Sequence, residues 1–166
     1  MGHRITGCRK GQSSNRGAGW EALHVAIDDA TRLAYTEILP DEKKETAIAF
    51  LLRSCAFFKA NGVIPERVMT DNGSAYKSFA FRGALAAAGV RRIRTKPYTP
   101  RANGKAERFI QTSLREWAYA APCQTSHERA KAMIPFIDAY NTERPHSALA
   151  FKTPWQRLNN LLGNDI

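Results

Sequence analysis

The chain has 166 residues, of which 43% are hydrophobic and 10% aromatic, so it has the composition of a single folded domain and not of a disordered chain. Lys and Arg total 25 against 15 Asp and Glu, and this net charge of +10 favours a polyanionic partner, with nucleic acid preferred over an acidic membrane surface. The sequence holds neither a run of about 18 apolar residues nor an apolar signal-peptide core, which predicts a soluble cytoplasmic protein without a membrane partner.

Residues 1–19 contain basic residues among Gly, Ser and Asn and no acid, which predicts a basic flexible arm. Such an arm is either a disordered lead-in or a DNA contact, and the sequence leaves both open. Alternating apolar residues then predict two strands, over 20–27 and 32–39, joined as a β-hairpin. Asp28 and Asp29 fall at its turn, so they are interpreted as turn residues and not as catalytic acids.

The cysteines and histidines argue against two kinds of site. Cys8, Cys55 and Cys123 are odd in number and widely spaced, which argues against a disulfide framework and for a reducing compartment. The four histidines lack the spacing of zinc ligands. His24 lies in an apolar strand and is interpreted as a structural, hydrogen-bonded histidine.

Helix and strand patterns alternate through the rest of the chain. The first helix is predicted from Asp41, as its cap, to Ala60, with Asn61 and Gly62 ending it. Three further elements are predicted before the basic loop over 97–103: a buried strand over 67–70, an alanine-rich helix over 78–88 and a strand over 90–95. After the loop we predict a helix from 105 whose apolar stripe includes Ile110, Leu114 and Trp117, a helix over 126–140 despite Pro135, and an extended polar tail over 141–149.

Two acids stand out by their surroundings. Asp71 follows a short apolar strand and precedes Asn72 and Gly73, a context that is also typical of an ordinary turn. Glu107 lies near the start of a predicted helix, where a carboxylate is also favourable simply as a charge at the positive end. However, residues 90–108 contain seven Lys and Arg and a single acid, Glu107 itself, which indicates a surface suited to a polyphosphate.

The amino-acid sequences of these segments are specific enough to compare with known families. The runs TDNGSAY and RTKPYTPRANGKAERF, with 35 residues between Asp71 and Glu107, resemble the DDE transposases and integrases of bacterial insertion sequences and, more distantly, retroviral integrase cores. The resemblance continues in HVAIDDATRLAYTEILPDE, YNTERPHSAL and TPWQRL, so it covers nearly the whole chain.

The resemblance implies an α/β, ribonuclease H-like fold, a mixed sheet flanked by helices. The integrase catalytic core would occupy residues 20–140, after the arm at 1–19 and before a C-terminal tail of the core at 141–166. In the family the first of three catalytic acids lies on a strand before the segment equivalent to 1–19. We therefore expect an N-terminally truncated core that lacks this strand, between the hairpin and the Asp71 strand, and that is poorly stable or oligomeric alone.

The resemblance also implies the site. Asp71 and Glu107 would be catalytic residues and ligands of Mg²⁺ or Mn²⁺, with two ions in a complete site bridged by the first Asp. The predicted DNA-binding residues are Arg94, Lys96, Arg101, Asn103, Lys105 and Arg108. For any single arginine a merely solvated position stays the alternative.

The implied function is DNA transposition or integration by phosphodiester strand transfer, a Mg-dependent polynucleotidyl transfer in the bacterial cytoplasm, at the nucleoid when bound to DNA. Its partners would be DNA, as element ends and target, and a second copy or a full-length transposase. The alternative is a catalytically inactive DNA-binding remnant or an inhibitor of the full-length protein. A ribonuclease H-type nuclease of another branch is a third possibility.

Overall fold

The computed structural model describes residues 21–94, 104–120, 123 and 125–164. Within these ranges the elements are β1 (Ala22–Ile27), β2 (Ala34–Leu39), α1 (Lys44–Ala60), β3 (Arg67–Thr70), α2 (Ser74–Lys77), α3 (Phe79–Ala87), β4 (Arg91–Arg94), α4 (Gly104–Ser113), a π-helical turn (Leu114–Ala118), α5 (Ser126–Thr142), a 3₁₀ turn (Ser147–Leu149) and α6 (Pro154–Leu162). None of the described helices combines the length and the apolar character needed to cross a membrane.

The first two strands form the predicted hairpin. They pair antiparallel from Ala22 opposite Leu39 to Ile27 opposite Ala34. The Asp28 carboxylate closes the turn, since its Oδ2 accepts hydrogen bonds from the Thr31 backbone N–H at 2.8 Å and the Thr31 hydroxyl at 2.7 Å. The interpretation of Asp28 as a turn residue is therefore confirmed.

His24, in β1, is buried, and its Nε2 lies 2.9 Å from the backbone oxygen of Asp41. This contact ties the strand to the segment that leads into α1. The interpretation of His24 as a structural histidine is confirmed.

A second, separate sheet is formed by β3 and β4, which pair in parallel from Arg67 opposite Arg91 to Thr70 opposite Arg94. Among the described residues no strand joins β1 to β3. The strand at 67–70 is less buried than predicted, because Arg67 and Met69 are exposed and only Thr70 is fully covered.

Helix α1 packs against both sheets. Towards β3 and β4, its residues Ala47, Leu51 and Cys55 join a core that includes Phe81 and Leu85 of α3. Towards the hairpin, Phe58 packs with Leu33, while Phe50 and Phe57 stack on Tyr35. Burial of these side chains, at about 1.5–3 kcal/mol each, is the main force that holds the two sheets side by side.

Helices α4 and α5 cover the hairpin from another side. Phe109 of α4 packs with Ala34 of β2 and edge-on against Tyr140 of α5, with ring centroids 4.7 Å apart. Trp117 and Met133 extend this core. Glu107 is thereby carried by a helix that rests on the hairpin, whereas Asp71 follows a strand of the other sheet.

The predicted apolar stripe of α4 was wrong by one position. Phe109 is 1% exposed, whereas Ile110, which the sequence placed in the stripe, is 39% exposed. The π-helical turn explains the error, because it adds a residue between the buried Thr112 and Trp117. Glu107 and Ile110 are thus both exposed, on a side of the helix that does not face the core.

The helix boundaries differ from the predictions at three points. Lys43 precedes α1 in the cap position, while the Asp41 carboxylate accepts hydrogen bonds from the Lys43 N–H and the Thr46 hydroxyl. The four-residue α2 was not predicted. The segment over 141–149 is not extended throughout, because α5 reaches Thr142 and a 3₁₀ turn spans Ser147–Leu149.

Candidate active site and nucleic-acid interface

Asp71 lies directly after the last residue of β3 and is exposed. Its Oδ1 accepts a hydrogen bond of 2.8 Å from the backbone N–H of Gly73. This local bond, which a short acidic side chain makes readily, fixes the carboxylate at the mouth of the turn. The sequence therefore places an oriented carboxylate at the carboxyl end of a parallel strand.

Gly73 is packed tightly against that carboxylate. A Cβ atom at this position would lie 3.0 Å from Asp71 Oδ1 and 3.3 Å from Cδ2 of Tyr76. The pKa of the Tyr76 phenol is raised, first by burial and then by the negative charges of Asp71 and Glu42. Asp71, Gly73 and Tyr76 thus form one compact unit at the start of α2.

Glu107 lies in the first turn of α4 and is exposed. A carboxylate here is favoured by the positive end of the helix dipole, by about 0.3–1 kcal/mol. The Lys105 ammonium donates to the backbone oxygen of Asp29 at 3.1 Å and also to the Asp29 carboxylate. This contact and the burial of Phe109 fix the first turn of α4 beside the hairpin turn.

Only some of the predicted DNA-binding residues lie in the part of the chain that the structure describes. Lys105 and Arg108 are exposed in the first turns of α4, on either side of Glu107. Arg94 is the last residue of β4, and only its backbone is described. Lys96, Arg101 and Asn103 lie outside the described residues. The structure therefore groups two cations with Glu107 and carries Asp71 on a different element.

The two predicted carboxylates have oxygen donors of the type that Mg²⁺ prefers. Within the described residues, however, no three side chains among His, Cys, Asp and Glu come together as a metal-binding group. Asp71 and Glu107 are exposed and keep their carboxylates free of salt bridges in the described part of the chain. The donor chemistry fits a divalent ion, and a complete three-carboxylate site is not formed by the described residues.

Sequence reasoning missed an aromatic and cationic pair on α3, the second helix after Asp71. Phe79 begins α3 and is 85% exposed, and the guanidinium carbon of Arg82 lies 4.3 Å from the centre of its ring. A signal was present in the order Phe79-Ala80-Phe81, because residues two apart on a helix point in nearly opposite directions and cannot both face the core.

Two family models described as integrase core domain match the chain, one over residues 7–100 and the other over residues 88–154. The first covers more than half of the chain. The chain belongs to the integrase core domain family. The family resemblance inferred from TDNGSAY and RTKPYTPRANGKAERF is thereby confirmed.

Curated relatives agree with this assignment. This integrase core domain is 28% identical over 148 residues to a putative integrase, ORF3, of Spiroplasma virus SpV1-C74, a match covering 81% of the chain and 41% of the relative. It is 30% identical over 102 residues to a putative transposase, InsD, for insertion element IS2E of Escherichia coli, a match covering 61% of the chain and 47% of the relative. The chain spans less than half the length of these two relatives.

Solved structures identify the fold. The integrase core domain superposes on a chain of the simian T-cell lymphotropic virus intasome, in complex with PP2A regulatory subunit B56 gamma, with a TM-score of 0.71 and 25% identity over 86% of this chain and 49% of that one. It superposes on the catalytic core domain of BIV integrase with a TM-score of 0.66 and 19% identity, over 87% and 91%. The expected ribonuclease H-like fold is confirmed.

Proposed function

We propose that this integrase core domain takes part in DNA transposition or integration by phosphodiester strand transfer, with Asp71 and Glu107 as its catalytic carboxylates. The observation that carries the proposal is the oriented, exposed Asp71 carboxylate at the end of β3, in a chain whose family comprises integrases and transposases. Glu107, exposed in the first turn of α4 among cations, is the second acid.

The proposal assigns metal binding to the two acids and DNA binding to the cations and Asn103. Asp71, held by the Gly73 N–H, and Glu107 would each present carboxylate oxygens to a Mg²⁺ or Mn²⁺ ion. When bound, a pair of such ions supplies charge stabilisation to the attacking and leaving oxygens of the phosphodiester. The cations Arg94, Lys96, Arg101, Lys105 and Arg108, with Asn103, would hold the DNA backbone against these acids.

The DNA partner is supported by charge. The chain carries a net charge of +10, and residues 72–106, between the two proposed acids, contain no Asp or Glu. A surface of this kind repels basic proteins and attracts a polyphosphate, with a strong dependence on salt. Element ends and target DNA, and a second copy or a longer transposase as protein partner, are part of the proposal.

A second candidate is a DNA-binding chain that is catalytically inactive by itself and acts by pairing with a full-length transposase. One observation favours it: the described residues bring together no third acid beside Asp71 and Glu107. In this case DNA binding would persist while strand transfer would need an acid from the partner.

The test combines a measurement of metal affinity with an assay of DNA strand transfer. Mn²⁺ titration of the whole chain, followed by water proton relaxation, is expected to detect a site whose affinity falls at least ten-fold in Asp71→Asn and Glu107→Gln. A strand-transfer assay with Mg²⁺ or Mn²⁺ and duplexes ending in the element's terminal repeats then separates the two candidates. Glu116→Gln, at an exposed acid on the helical segment that follows α4, is the control.

A strand-transfer product that the original chain forms and that is lost in Asp71→Asn supports the first candidate, the enzyme. DNA binding without product, with product restored by an inactive full-length transposase that supplies the missing acid, supports the second candidate. Mn²⁺ affinity and DNA binding that are the same in both variants as in the original chain would reject the assignment of Asp71 and Glu107.

A further inference from the structure

The segment that follows Asp71 is uniformly cationic. Residues 72–106 contain eight Lys and Arg and no acid. Lys77 and Arg82 belong to its α2 and α3 helices and are exposed. In the described part of the chain neither has a carboxylate partner within salt-bridge distance. Their charges are therefore available to an anion from outside.

An aromatic residue, Phe79, lies between these two cations in the sequence. Phe79 is 85% exposed, more than any other large hydrophobic residue among those described. Its neighbour in the same helix, Phe81, is 1% exposed and supplies the core contact, so α3 does not need Phe79 for packing. Leaving a phenylalanine in water forgoes the burial energy that a core position gives.

The ring is held in place. Ser78 caps α3 by accepting a hydrogen bond of 3.1 Å from the N–H of Phe81, and its own hydroxyl donates to Ala75 in α2. The guanidinium of Arg82 lies over one face of the Phe79 ring, 4.3 Å from its centre. The opposite face of the ring is left for another planar group.

The ring is also close to the proposed catalytic acid along the chain. Only α2, whose four residues rise about 6 Å, separates the turn of Asp71 from Phe79. Tyr76 in α2 lies against Gly73 and packs 5.2 Å from the ring of Phe81, so the Asp71 turn is anchored to α3, the helix that begins with Phe79. A strand of DNA at Asp71 would therefore pass close to Phe79.

We propose that Phe79, with Arg82 and Lys77, forms a stacking site for an unpaired DNA base next to the reacting phosphate, the base on the ring and the adjoining phosphates on the two cations. Aromatic stacking beside cations is how sequence-tolerant single-strand binding is built. The inference rests on the proposed DNA substrate, and it adds that the bound DNA is frayed or unpaired at this point. An uncharged or basic protein partner would gain nothing from Lys77 and Arg82.

The test uses the full chain and a duplex with a short 3′ overhang that contains 2-aminopurine, a base whose fluorescence falls on stacking. We expect quenching on binding. Phe79→Ala should abolish the quenching and weaken overhang binding about ten-fold, whereas Phe79→Tyr should stay within about two-fold of the original. Arg82→Gln with Lys77→Gln should reduce the salt dependence of binding, since two phosphate contacts are lost.

Phe151→Ala is the matched control, because Phe151 is also highly exposed, at 74%, but lies before α6. The blunt duplex without an overhang should bind Phe79→Ala and the original chain alike. Circular dichroism confirms that each variant is folded.

Several results would overturn the proposal: an original chain that leaves the overhang unquenched, a Phe79→Ala chain that quenches normally, or an equal loss on blunt and overhanging DNA. A change of sedimentation in Phe79→Ala with unaltered quenching would instead assign the ring to a contact between copies. Asp71→Asn separates this site from the proposed chemistry, because it should retain the quenching while losing Mn²⁺ affinity.

Discussion

The side-chain amide of Asn141, in α5, forms two hydrogen bonds with the backbone of Ala34, in β2: Nδ2 donates to the Ala34 oxygen and Oδ1 accepts from the Ala34 N–H, both at 2.9 Å. The two residues are 107 positions apart, and both are buried. The amide thus satisfies the peptide groups on the free side of an edge strand, where a helix covers it.

Asn141→Ala should destabilise the fold by about 2–4 kcal/mol, because it leaves a buried N–H and a buried carbonyl without partners. Urea unfolding followed by circular dichroism measures the change. Thr142→Ala, at the next and exposed position of the helix, is the control and should cost under about 1 kcal/mol. An equal effect of the two substitutions would show that the hydrogen bonds between Asn141 and Ala34 add nothing particular to the free energy of unfolding.

Glu21→Gln should destabilise the chain through Arg129. The guanidinium of Arg129, buried in α5, donates to the Glu21 carboxylate, whose side chain keeps 24% of its exposure. Removing the negative charge leaves a buried cation without its counterion, at a cost of about 2–3 kcal/mol, below the range for a fully buried pair. The free energy of unfolding is the measurement. Glu45→Gln, which breaks the exposed pair with Lys44, should change it by less than about 0.5 kcal/mol.

Gly73→Ala should impair Asp71 without unfolding the protein. The added methyl group would meet the Asp71 carboxylate and the Tyr76 ring at 3.0 and 3.3 Å, so one of them must shift. On the proposed function, Mn²⁺ affinity should fall about ten-fold, since a small displacement of a reacting group is costly. Gly83→Ala is the control, because no atom lies within 4 Å of its Cβ and the helix should gain about 0.5–1 kcal/mol. Unchanged affinity in Gly73→Ala would contradict the tight fit.

His146 should make stability depend on pH. Burial, followed by the positive charges of Arg144 and Arg32, lowers the pKa of its imidazole in the folded state. The unfolded chain therefore binds a proton first as the pH falls, so this contribution to stability is full above the unfolded pKa, near 6.5, and decreases below it. The slope from this one group is at most about 1.4 kcal/mol per pH unit.

His146→Gln should flatten the stability curve between pH 7 and pH 5, measured as the urea midpoint at each pH. His127→Gln, at an exposed position of α5, serves as the control and should retain the slope of the original chain. A slope that survives in His146→Gln would assign the dependence to other groups.

Elements that carry a repeated local signal were predictable. The hairpin, α1, β3 and α5 were predicted from alternation, from helical spacing and from Gly62, and each was found within three residues of its predicted end. The exposed Asp71 and Glu107 were found by their motifs and by the charge around them. Their direct roles stay predictions that the proposed experiments address.

Most of the features that were not predicted depend on helix geometry or on long-range contacts, which local sequence patterns do not reveal. The π-helical turn shifts the phase of α4, so Ile110 replaced Phe109 in the predicted stripe. The four residues of α2 are too few for periodicity. The pairing of Asn141 with Ala34 joins distant positions, and no neighbouring residue signals it. Helix α6, by contrast, did have a signal, in Thr153, Gln156 and Gly163 around Pro154, that was not used.

Helix α1 packs against two parts of the fold, one of which carries Asp71 and the other Glu107. One of its faces packs with α3 and the sheet that leads to Asp71, and its aromatic residues pack on the hairpin, to which the helix of Glu107 is fixed. The relative placement of Asp71 and Glu107 therefore depends on how α1 packs with both parts of the fold. On the proposed function, a change in the tilt of α1 would alter the spacing of the two acids while leaving the residues proposed to contact DNA unchanged.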